Sequence, residues 1–130
     1  MTADLVMLTA SAVLTAALTL PYGAAMWAGW PLRDVLGNRD DPPPLPPWAE
    51  RARRAHRNML ENIPHFAALV LVANVSGRAN FETALGATIF FWARVAHAIV
   101  YITGFWPLRA LAFFAGLAGE ALILTQLVAR

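Results

Sequence analysis

The chain has 130 residues, of which 58% are hydrophobic and 14% charged, where an ordinary soluble domain carries about 25% charged residues. All ten basic residues are arginine, eight acids leave a formal net charge of +2, and cysteine is absent. A disordered chain, the mixed lysine and arginine surface of a nucleic-acid binder, and any disulfide or thiolate metal site are thereby excluded.

No residue from Leu5 to Leu32 is charged, a run longer than the roughly 20 residues that cross a bilayer as a helix. A cleaved leader has a basic front and an apolar stretch of about 7–15 residues; here the front is Met-Thr-Ala-Asp and the stretch is longer. The first span is therefore placed at 5–29, with Pro21 kinking it or lying near its end, since proline removes an intrahelical hydrogen bond. Gly37-Asn38-Arg39-Asp40-Asp41 and then five prolines among residues 42–47 read as a stiff extended spacer. A second helix is expected over 48–75, polar in its first half and lipid-compatible in its second, with Pro64 tolerated inside it. Residues 74–80 turn the chain into a third span, 81–103, which carries Arg94 and His97. Gly104, Phe105 and Trp106 form a tight hairpin into a fourth, 107–128, which carries Glu120.

Thr83–Ala93 and Ala110–Gly119 have no charge on any side, whereas a soluble bundle shows polar residues on each outer face. The expected fold is an all-α integral membrane four-helix bundle forming one domain over 1–130. Arg33, Arg39, Arg51, Arg53, Arg54, Arg57 and Arg109 gather on one side against Arg78 and Arg130 on the other, which places both termini away from the cytoplasm. The all-arginine, alanine-rich composition points to a bacterial inner membrane. Trp27, Trp30, Trp48 and Trp106 fit an aromatic belt at the cytoplasmic level, and Trp92 is left as a helix contact.

At about 100° per residue, Glu50, Arg54, Arg57, Asn58, Glu61 and His65 fall on one face of the second helix, spaced so that neighbouring side chains meet. Arg51 borders that face, while Arg53 and His56 point elsewhere, at the headgroup level. Arg94, His97 and Tyr101 share a face of the third span. A charge facing lipid costs several kcal/mol, so Arg94 requires an acceptor inside the bundle, with Glu61 the first candidate and Glu120 the second. Two readings follow: a buried ion network that pins the helices, or a polar cavity, open toward the arginine-rich side, that receives an anion. The surplus of arginines over buried acids favours the cavity. His56, His65 and His97 include no close-spaced ligand pair, so no metal is expected. Gly116 and Gly119 are read as allowing close helix packing.

Glu50-Arg51-x-x-Arg54-Ala55-His56-Arg57-Asn58-x-x-Glu61-Asn62-x-Pro64 resembles the signature of the MAPEG family, the membrane-associated proteins of eicosanoid and glutathione metabolism. Arg94-x-x-His97-x-x-x-Tyr101 is similar to that family's third-helix motif. The resemblance implies a homotrimer of four-helix subunits with glutathione bound between adjacent subunits near the cytoplasmic side. It implies that Arg54, Arg57, Asn58 and Glu61 contact or organise the cofactor, with Arg94, His97 and Tyr101 on the facing helix and Arg33 at the end of the first. Arg109 matches, after a one-residue shift, the arginine that activates the thiol, and Tyr101 is a second candidate catalytic group, as a donor. Ala110 stands where the prostaglandin-synthesising members have serine, so a mechanism built on that hydroxyl does not carry over. The activity implied is a glutathione-dependent transferase or peroxidase acting on lipophilic electrophiles within membrane lipid. The other reading is a noncatalytic membrane protein of the same fold that binds an anionic lipid or a partner.

Overall fold

The computed structural model describes residues 1–129. The chain is all-α: α1 (Ala3–Ala17), α2 (Thr19–Gly29), α3 (Leu32–Leu36), α4 (Pro47–Val75), α5 (Phe81–Thr103) and α6 (Trp106–Val128). Among the described residues, three stretches are long and apolar enough to cross a membrane: Ala3–Gly29, Phe81–Thr103 and Trp106–Val128. α4 is the longest helix, but its charged first half keeps it outside that class.

The first span is not one uninterrupted helix. A turn at Leu18 separates α1 from α2, because Pro21 has no N–H to donate to the Ala17 carbonyl four residues back, and its ring crowds that carbonyl. The break thus falls inside the apolar stretch and not near its end. α3 was not expected. It begins after Pro31 and places Val35 in a small core with Ala25, Met26, Trp30, Leu45 and Ala49. Leu45, the one residue without a pyrrolidine ring between Pro42 and Pro47, anchors the proline segment there, so that segment docks onto the bundle. Trp30 is buried in the same cluster and does not belong to an aromatic belt. Trp27, Trp48 and Trp106 are exposed, and Trp92 also faces outward beside Phe91.

α5 packs against α1, α4 and α6. Between helices in lipid there is little hydrophobic gain, so close backbone approach through small residues takes over. A Cβ on Gly119 would lie 2.5 Å from the Gly86 carbonyl oxygen, and one on Gly86 would lie 2.5 Å from that of Gly119. On the α4 side, Phe66 and Phe90 stack with ring centroids 3.8 Å apart, amid Met59, Val70, Ala73, Ala87 and Ile123.

The ends of α1, α4, α5 and α6 are tied together at one pole. The buried Asp4 carboxylate accepts from Asn74 Nδ2 at 2.9 Å and from Thr83 Oγ1 at 3.4 Å. Arg78 Nη1 donates to the Leu127 and Ala129 carbonyl oxygens, each at 2.8 Å. The arginine-rich loop and the α5–α6 turn occupy the other pole. Gly119→Ala should force α5 and α6 apart, costing about 1–3 kcal/mol as overpacking does; a lower melting temperature in detergent than wild type is the expected result.

Candidate functional site

Arg94 lies at the centre of the bundle, 2% exposed. Its partner is neither Glu61 nor Glu120. Nη1 donates to Asn58 Oδ1 and Nη2 to Asn62 Oδ1, both at 3.1 Å. The guanidinium carbon sits 5.1 Å from the Phe90 ring centroid and 5.3 Å from that of Phe113, within cation–π range. Gly116 makes this possible: a Cβ there would come within 2.8 Å of Arg94 Nη2. Gly116 therefore makes room for a guanidinium, whereas Gly119 serves helix packing.

Toward the arginine-rich pole, α4 and the α5–α6 turn border an open hollow of about 410 Å³ lined by Arg51, Arg54, Val100, Tyr101, Gly104, Trp106 and Arg109. A second hollow of about 260 Å³ adjoins it through Tyr101 and Arg109, and adds Asn58, His97, Ala110, Phe113 and Phe114. Together they present three arginines and no carboxylate. The turn that shapes the larger hollow needs glycine, since Gly104 has φ of +84°, a left-handed conformation that costs other residues more. Arg51 Nε donates to the Ile102 carbonyl oxygen at 2.9 Å, satisfying a carbonyl that the end of α5 leaves without a helical partner. The Arg109 guanidinium lies 5.2 Å from the Tyr101 ring centroid, and the buried His97 ring meets Tyr101 edge-on at 5.4 Å.

The family model for the MAPEG family matches residues 2–129. The chain belongs to the MAPEG family. It is 46% identical over 68 residues to microsomal glutathione S-transferase 1 of Bos taurus, and 44% identical over the same length to those of Homo sapiens and Rattus norvegicus. In each case the match covers 52% of this chain and 44% of the relative, so the chain matches under half the length of these relatives. No solved structure matches.

Within this MAPEG chain the structure brings Arg54, Asn58, His97, Tyr101 and Arg109 together, and adds Arg51, which the sequence pattern had placed only at the border of the polar face. It leaves four expected site residues outside the hollows: Arg94, which is buried behind Asn58 and lines neither hollow, and Arg57, Glu61 and Arg33. Arg57 and Glu61 bond each other at 3.2 Å on the outer surface, with side chains 81% and 58% exposed. Arg33 is exposed and pairs with Asp34 at 3.6 Å. A single chamber shared by Arg54, Arg57, Glu61 and Arg94 does not form within one chain, because residues 57 and 61 sit side by side on a face of α4 that this chain leaves uncovered. His56 points toward α2: its Nδ1 lies 2.9 Å from the Tyr22 hydroxyl, joining α2 to α4. Asn62 joins the site by accepting from Arg94; the signal for it in the sequence is its spacing of four residues from Asn58. Among the described residues, no group of three histidines or acids could hold a metal ion.

Glu120 is buried and is held by His65 Nδ1 at 2.9 Å. Removing one partner of a buried pair strands the other, whereas replacing both with apolar groups does not. Because the His65 side chain is half exposed, the pair is only partly sheltered; His65→Phe should lower detergent stability by about 1 kcal/mol, and the double variant His65→Phe/Glu120→Leu should recover most of that loss in thermal melts.

Proposed function

We propose that this chain is a glutathione-dependent transferase or peroxidase acting on lipophilic electrophiles within the membrane. The observation that carries the reading is the hollow in which Arg51, Arg54 and Arg109 converge with no acid among its lining residues. A tripeptide with two carboxylates fits that charge pattern, because arginine forks hold carboxylates bidentately. The names of the mammalian relatives agree with it.

Glutathione, when bound, supplies the thiol that adds to an electrophile or reduces a peroxide. Arg51 and Arg54 would hold its carboxylates, with Asn58 and His97 orienting the peptide from the adjoining hollow. Arg109 lines both hollows and is the cation placed to stabilise a thiolate; a neighbouring guanidinium lowers a thiol pKa from its ordinary value of about 8.5. Tyr101 lines both hollows as well, and its hydroxyl can donate to charge developing on the electrophile. Ala110 offers no hydroxyl, so activation falls to Arg109 and Tyr101. Phe113 and Phe114 give the smaller hollow an apolar wall suited to a lipophilic partner.

Arg57 and Glu61 belong to the outward face of α4, and in the proposed homotrimer an adjacent copy covers that face and brings the pair to the ligand. Arg33 would reach the site in the same way. In this arrangement α4 supplies the fourth crossing. The hollow opens to the cytoplasm and both termini lie on the far side, in the inner membrane of a bacterium.

The test uses the purified protein in detergent and the absorbance of glutathione thiolate near neutral pH. Wild type should show a thiolate signal at pH values below the ordinary thiol pKa, and Arg109→Ala should reduce it about tenfold, equivalent to one unit of pKa. Absence of binding at millimolar glutathione contradicts the enzyme reading. Retention of anionic lipid under those conditions would favour the noncatalytic one.

A further inference from the structure

We infer that Arg94 is a positioning residue that locks the Asn58 amide with its NH2 turned into the hollow, so that this wall of the site recognises an acceptor atom, such as a thiolate or a carboxylate oxygen. The inference rests on the proposed anion site and adds a polarity to it. Arg94 is buried and lines neither hollow, so it acts on a ligand through Asn58 and does not touch it.

The orientation follows from donor and acceptor chemistry. A guanidinium has five donors and no acceptor. An asparagine within hydrogen-bond distance of it must present its oxygen, which leaves its two N–H donors to point elsewhere. Asn58 Oδ1 lies 3.1 Å from Arg94 Nη1, and Asn58 lines the smaller hollow beside His97, Tyr101 and Arg109. Among the described residues, Asn58 Nδ2 has no hydrogen-bond partner and is not a buried orphan, so it remains free for a ligand.

The lock is rigid because both terminal nitrogens of Arg94 are hydrogen-bonded and its guanidinium lies against two rings. Asn62 Oδ1 takes its second terminal nitrogen, and Asn62 is itself held by donating from Nδ2 to the Asn58 main-chain oxygen at 2.7 Å. Phe90 and Phe113 provide ring contacts, and the missing side chain at Gly116 leaves the guanidinium its space. Gly116→Ala therefore offers a way to displace Arg94 without deleting it.

The test uses the full chain in detergent micelles, labelled with 15N-asparagine, and the variants Arg94→Met, Gly116→Ala and Asn58→Asp. The Asn58 side-chain amide resonance, assigned by its loss in Asn58→Asp, should move in Arg94→Met and in Gly116→Ala, while those of Asn74 and Asn80 at the other pole stay in place. An Asn58 resonance unmoved in both variants overturns the lock. In glutathione titrations, Arg94→Met and Asn58→Asp should each weaken binding about tenfold or more, as loss of a hydrogen bond to a charged group does. Asn58→Asp still accepts from Arg94 and should melt within a few degrees of wild type. The double variant should bind no worse than the weaker single one, because both act through one amide. Additive losses, or Asn58→Asp binding like wild type, would overturn the proposal. A responsive Asn58 resonance in a protein that does not bind glutathione would support the lock and contradict the proposed function.

Discussion

A guanidinium buried in the middle of a membrane bundle, with no carboxylate bonded to it, sets the terms for the rest of this structure. Leaving such a charge in an apolar medium without partners is prohibitive, yet Arg94 is satisfied only by two amide oxygens and two aromatic rings. These partners stabilise the cation without cancelling its charge. Nε remains buried and unpartnered, so the site carries a residual electrostatic demand.

The acids that could have answered that demand are engaged elsewhere. Glu61 bonds Arg57 on the surface, Glu120 bonds His65, Glu50 bonds Arg53, and Asp4 is held by Asn74 at the far pole. What remains along α4, α5 and the start of α6 is Arg51, Arg54 and Arg109 around a space with no negative group. A network built only to pin helices together would place acids among those arginines. Their separation from the hollow is the feature on which the proposed anionic ligand rests.

The long elements were legible because their signals are long. The bounds of α4, α5 and α6 follow from charge-free runs, a proline at the start of α4, and Gly104 between α5 and α6. The break at Leu18 was not legible as such, since Pro21 marks a disturbance but not the side on which the chain absorbs it. α3 is too short for periodicity to show. In the site, helical spacing put Arg54, Arg57, Asn58 and Glu61 on one face, which is correct as geometry. It could not say that the face is divided, with residues 54 and 58 turned toward the α5–α6 turn and residues 57 and 61 turned away from the bundle. Opposite charge points to Glu61 as the partner of Arg94, but hydrogen-bond capacity decides it: Asn58 and Asn62, both uncharged, provide the acceptors.

The account stands on the acid-free arginine hollow holding a carboxylate ligand. The most direct measurement compares equilibrium binding of glutathione with that of the same tripeptide carrying both carboxylates as amides, on the purified 130-residue chain. Charge-assisted pairing to arginine predicts that capping weakens binding by a factor of about ten or more. Equal affinity for the two peptides would contradict it.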